Sequence, residues 1–160
     1  MIIRKLDDVA KTAVEMEGVK GITKQLVLGT ADGVPNFSFC VFTLEPGGRI
    51  PRHRHASIEH QQVVLEGRMS LELDGDIREV GAGDCILIPA GVAHSYENRG
   101  SVPIRFLCIV PLTEDYETAA VFNDGDDTVY GNDGEDLIYG EDGEDVIYGE
   151  ESEDTIFGGD

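Results

Sequence analysis

Residues 122–160 contain no Lys or Arg but 15 Asp+Glu. The first 121 residues hold 12 Lys+Arg against 17 Asp+Glu, a net of −5, so the remainder carries −15 of the total −20. Such a field repels nucleic acid and anionic lipid, and it draws hard cations. The change of composition near Thr118-Ala119-Ala120-Val121 marks a domain boundary, giving 1–118 and 119–160. No apolar run approaches the roughly 20 residues that span a bilayer. The opening Met1–Asp8 has charges where a signal peptide needs an apolar stretch, so no cleaved leader is expected. Cysteine is scarce. Three residues without close spacing make no disulfide framework, and Cys40, Cys85 and Cys108 lie in apolar runs that predict free, buried thiols.

Histidine is missing from most of the chain. All four, His53, His55, His60 and His94, fall within one 42-residue window. Imidazole is the commonest protein metal ligand near neutral pH. On a strand, His53 and His55 share a face. His60 opens the next apolar run, and His94 follows the Pro89-Ala90-Gly91 turn.

Two segments carry these residues. In the first, Gly47 precedes His53-Arg54-His55, His60 follows, and Gly67 closes the segment. In the second, Gly83, Pro89, Gly91, His94 and Asn98 recur at fixed spacing. The pair resembles the two motifs of the cupin superfamily, with His60 in the place of the usual Glu. The likeness runs from about Val19 to Pro111. It implies an all-β fold, a double-stranded β-helix or jelly-roll barrel, with one divalent metal held by His53, His55, His60 and His94. It favours manganese, as in small single-domain cupins with four histidines. Imidazole also suits Fe, Ni, Cu and Zn.

Short β-rich runs support an all-β reading independently. They are Phe37–Leu44, Gln62–Leu65, Met69–Leu73, Cys85–Ile88 and Ile104–Val110, with Gly- and Pro-rich punctuation between them. Val9–Glu17 fits a helix or a strand equally. Along Ile104–Val110 the set Ile104, Phe106, Cys108 and Val110 is wholly apolar and should face the interior, while Arg105 interrupts the other set. In the resembling proteins the matching Phe and Cys lie near the metal, which implicates Phe106 and Cys108. The same alternation adds Cys40 and, sharing the parity of His60, Gln62. Plain core packing explains Cys40 and Cys108 equally well. Arg52 and Arg54 should point away from the ligands, and Asn98 fits a turn role.

Four neutral imidazoles leave a bound ion its full charge and thus a strong Lewis acid. An octahedral ion would keep two cis positions open. No carboxylate is placed as a general base: Glu59 has the opposite parity from His60. The expected activity is therefore a metal-dependent oxidoreductase of dioxygenase type on a small molecule in the barrel. The alternative is a non-catalytic module for sensing or storage.

The acidic end is a nine-residue repeat in four units starting at Phe122, Gly131, Gly140 and Gly149. Each has Asp at its sixth place, an aliphatic residue at its eighth and an aromatic at its end. It resembles the calcium-binding nonapeptide repeat of RTX proteins, which implies a short parallel β-roll binding Ca²⁺ through Asp127, Asp136, Asp145 and Asp154. In such rolls a loop stacks on the loop two units later, pairing Asp127 with Asp145 and Asp136 with Asp154. Asn123, Asn132, Glu141, Glu150 and Ser152 stand where the repeat favours Gly, at a cost in loop freedom.

Small cupins often pair through edge strands, so a homodimer is expected, with a small-molecule ligand and neither nucleic acid nor membrane as partner. The free thiols favour the cytoplasm. Leaderless type I secretion is the alternative that the calcium repeats raise.

Overall fold

The computed structural model describes residues 1–14 and 18–112, and beyond them only the backbone of five short strands. The described barrel is all-β. Its strands are β1 (Thr12–Ala13), β2 (Lys20–Leu28), β3 (Phe37–Arg54), β4 (His60–Glu66), β5 (Arg68–Leu73), β6 (Asp76–Gly81), β7 (Cys85–Ile88), β8 (His94–Glu97) and β9 (Ile104–Pro111). Two single 3₁₀ turns, Leu6–Asp8 and Thr30–Asp32, complete it. The undecided N-terminal segment thus forms one such turn and a two-residue strand; residues 15–17 lie outside the described residues.

The strand order is β6-β5-β8-β3-β9-β4-β7, with β2 added on β3 and β1 on β2, all antiparallel. The 18-residue β3 belongs to both halves of the curled sheet. Its first half pairs with β9, from Phe37 opposite Pro111 to Leu44 opposite Ile104. Its second half pairs with β8, where His53 opposes His94. Between the halves lie Pro46, Gly47 and Gly48. A Cβ on Gly48 would stand 2.8 Å from Glu45 O and 2.9 Å from Gly21 O, so this bend admits only glycine.

Burial follows the expected alternation. On β9, Ile104, Phe106, Cys108 and Val110 are buried and their neighbours half-buried. They meet Leu44, Val64, Met69, Leu71, Ile88 and Tyr96 in one core. Each fully buried aliphatic or aromatic side chain there contributes roughly 1.5–3 kcal/mol. One expectation fails. Cys85 is exposed, while Cys40 and Cys108 are buried. β7 is the last strand of the sheet, and its inward parity belongs to Ile86 and Ile88, opposite Gln62 and His60. Cys85 and Leu87 therefore face out.

Past residue 120, Val121–Phe122 (β10) pairs with β3 at Arg54 and His53. Thr128–Tyr130 (β11) pairs in parallel with Val146–Tyr148 (β13), and Leu137–Tyr139 (β12) with Thr155–Phe157 (β14). In both pairs the partner lies 18 residues, or two repeat units, further on. The loop residues Asp127, Asp136, Asp145 and Asp154 lie outside the described residues, as does the boundary at 118.

Candidate metal centre

His53 sits at the end of β3, His55 just beyond it, His60 opens β4 and His94 opens β8. The curl of the sheet brings the four rings together. Ring centroids are 4.2 Å apart for His53 and His94, 4.8 Å for His55 and His60, 5.0 Å for His60 and His94, and 5.2 Å for His53 and His55. Ligand nitrogens of His53, His55 and His94 lie within 4.8 Å of one another.

The ring nitrogens are held in a specific way. His53 Nδ1 lies 2.8 Å from Pro51 O, and His94 Nδ1 lies 2.8 Å from Val92 O. A carbonyl can only accept, so each Nδ1 carries the proton and each Nε2 keeps its lone pair. Nε2 of His94 and of His60 is buried and has no hydrogen-bond partner. Buried polar atoms are nearly always paired. Two buried, unpaired lone pairs on neighbouring rings, one ring (His94) held from behind by a carbonyl and the other (His60) beside a thiol sulfur, match the donor set and outer support of a metal site, and His60 lies outside the trio whose ligand atoms fall within 4.8 Å. The residues therefore fit a divalent ion.

Protonation does not compete with that role at neutral pH. Burial, reinforced by His94, pushes the His53 pKa down to about 3. Burial and then the neighbouring His55 take His60 to about 2. Burial takes His94 to about 4, against the opposing bond to Val92. All three imidazoles are neutral donors at pH 7.

The flank of the cluster is thiol, amide and aromatic. Cys108 Sγ lies 3.4 Å from His60 Nδ1. Burial pushes the Cys108 pKa up to about 12, so the sulfur is a thiol. Gln62 Nε2 donates to Tyr96 Oη at 2.6 Å and lies 3.7 Å from Cys108 Sγ. Phe42, Phe106 and Tyr96 form a stack with centroid spacings of 5.3 and 5.4 Å. Tyr96 meets His94 edge-on at 5.6 Å. Of the four pocket candidates, then, Cys108 touches a histidine, Gln62 bridges to Tyr96, Phe106 stands behind Tyr96, and Cys40 lies opposite Cys108 on β3. Tyr96 and Phe42 escaped the sequence reading. The signal for Tyr96 was present, because it shares the inward parity of His94 two residues away.

The outward residues also find places. Arg52 bonds Glu72 across to β5 at 3.2 Å, as its parity implied. Arg105 pairs with Glu66 at 3.0 Å. Asn98 is structural: its Nδ2 donates to Leu44 O and Val102 O, and its Oδ1 accepts from Gly100 N, all at 2.9 Å.

Residues 40–110 match the cupin domain model. Residues 123–156 match that of the RTX calcium-binding nonapeptide repeat, in four copies. The barrel superposes on the polyketide cyclase RemF of Streptomyces resistomycificus with a TM-score of 0.67 and 35% identity, covering 71% of this chain and 80% of that one.

The chain belongs to the cupin superfamily.

Among curated cupin-like relatives, it is 25% identical to the oxalate-binding protein of Thermotoga maritima over 70% of this chain and 94% of that protein. It is 33% identical to polyketide synthase CurC of Streptomyces cyaneus over 40% of this chain and 42% of that protein. The chain spans half or less of the first curated relatives it matches. No helix among the described residues of this cupin is long and apolar enough to cross a membrane.

Proposed function

We propose that His53, His55, His60 and His94 hold one divalent transition ion, manganese first and Fe, Ni, Cu or Zn as alternatives. The observation that carries this is the pair of buried, unpaired Nε2 atoms on His60 and His94. When bound, such an ion supplies Lewis acidity toward a carbonyl or enolate oxygen, and open positions for a chelating substrate or dioxygen.

The residues around it favour a planar, oxygen-bearing substrate. The Phe42–Phe106–Tyr96 stack offers flat apolar surface. Burial raises the Tyr96 pKa, so the phenol keeps its proton. Its oxygen accepts from Gln62, which leaves its own O–H free to donate to an oxygen that gains negative charge. The likeness to a polyketide cyclase at 35% identity supports cyclisation of a polycarbonyl compound as the first reading. The dioxygenase reading comes second, supported by the all-imidazole cluster walled by buried apolar side chains. A non-catalytic ligand module is third. Incubation of the metal-loaded chain with a linear poly-β-carbonyl compound separates them. Cyclisation gives an aromatic chromophore without oxygen uptake, oxygenation consumes dioxygen, and a binding module gives neither.

For residues 119–160 the proposal is a calcium-loaded β-roll. Support comes from the two-unit offset of both parallel strand pairs. Asp127, Asp136, Asp145 and Asp154 would supply the oxygen ligands. Calcium titration followed by far-ultraviolet dichroism tests it, with gain of β signal expected in wild type and none in a variant carrying Asn at all four positions. We also propose a homodimer in the cytoplasm, supported for the dimer by exposed Phe37 and Leu87 on the outer sheet face.

A further inference from the structure

Residues 1–14 lie as a strap over the outer face of β2 and β3. One end is tied by Arg4, which donates to Asp32 Oδ2 at 2.8 Å and to Val27 O at 2.7 Å. The other end is β1, paired with β2. Between strap and sheet is a cavity of about 410 Å³ lined by Asp7, Val9, Ala10, Lys11, Gln25 and Arg105. Its size falls in the range of small-molecule pockets.

Beside the cavity, buried polar atoms of two lining residues and of Thr43 have no partner in the protein. Gln25 is only 3% exposed. Its Nε2 donates to Leu6 O at 2.9 Å and Val9 O at 2.8 Å. Those two bonds fix the amide, because a flip would set its oxygen against two carbonyl oxygens. Oε1 is therefore held with no partner. Arg105 spends Nη1 on Glu66, while its Nε is buried and unpaired. Thr43, directly opposite Arg105 on β3, has a buried and unpaired Oγ1. Three such atoms on one sheet face present an acceptor, a hydroxyl and a cationic donor. Asp7 and Lys11 add one charge of each sign from the strap.

We propose that this cavity binds a small zwitterion of the α-amino-acid class. Arg105 and Lys11 face its carboxylate; Gln25 Oε1 and Asp7 face its ammonium group. The site is independent of the metal centre. Arg105 and Phe106 are neighbours on β9 and point to opposite faces of the sheet, so the two readings stand or fall separately.

The test is calorimetric titration of the full chain with individual L-amino acids, with acetate and methylamine as half-ligands. The expected result is one site per chain for at least one amino acid and none for either half-ligand. Arg105→Met should weaken binding about tenfold, the loss of one charge-assisted hydrogen bond. Lys11→Ala, on the exposed strap, should weaken it less, and neither variant should change metal content. Failure of every amino acid to bind at saturating concentration overturns the proposal and leaves a water-filled cavity. Equal binding of acetate alone, or unchanged affinity in Arg105→Met, overturns it as well.

Discussion

Cys108 Sγ and His60 Nδ1 stand 3.4 Å apart, on β9 and β4. His53 and His94 are oriented by backbone carbonyls, whereas His60 Nδ1 faces this side-chain thiol. For Nε2 to serve the cluster, Nδ1 must carry the proton and donate to the sulfur of the neutral thiol. Cys108→Ala should therefore weaken transition-metal affinity about tenfold or more, the usual effect of removing a group that orients a ligand. Competition against a chromophoric chelator reads this directly. Cys108→Ser, which keeps an acceptor, should recover most of it. Equal affinity in wild type and both variants would show that Cys108 is only core.

The pH dependence of the metal-free protein follows from the three depressed histidines. In the unfolded chain each titrates near 6.5, and in the folded chain near 3, 2 and 4 for His53, His60 and His94. Between those limits the unfolded state binds more protons, so stability is complete above about pH 7 and falls as pH drops. From pH 7.5 to 5.5 the loss is about 1.4 kcal/mol per histidine. Urea midpoints across this window check it. A His94→Gln variant, lacking one of the three, should show a shallower slope.

Asn98 is buried and holds three backbone groups around the β8–β9 turn. Asn98→Ala leaves Leu44 O and Val102 O without this donor. The expected cost is about 2–4 kcal/mol, at the high end for a buried network. Thermal denaturation should show it, with the metal stoichiometry of the remaining folded protein unchanged.

Tyr96 and Gln62 share a 2.6 Å bond deep in the barrel. Tyr96→Phe keeps the aromatic stack but leaves Gln62 Nε2 only its weak contact to Cys108 Sγ, at a cost of about 1–3 kcal/mol. If the phenol donates its proton during turnover, kcat should fall while KM changes little. An unchanged kcat would leave Tyr96 with a packing role alone.

Much of this site is legible in the sequence because strand parity is a rigid code. The inward sets Ile104-Phe106-Cys108-Val110 and His60-Gln62 follow from alternation. So does the outward turn of Arg52 toward Glu72. Parity alone does not say whether an outward apolar face is covered, and Cys85 on the terminal strand β7 shows the consequence. The carbonyls of Pro51 and Val92 leave no trace in residue type, since any residue supplies that oxygen. The cavity under the strap is likewise silent, because it depends on where a nearly structureless segment crosses the sheet.

The function proposed for the barrel rests on four histidines making one metal site. Elemental analysis of the tag-free full chain, beside its His60→Ala variant, tests it most directly. The expected result is about one transition-metal equivalent per wild-type chain and a large loss in the variant with the barrel still folded. Wild-type protein that takes up no transition metal, even after reconstitution, would contradict it.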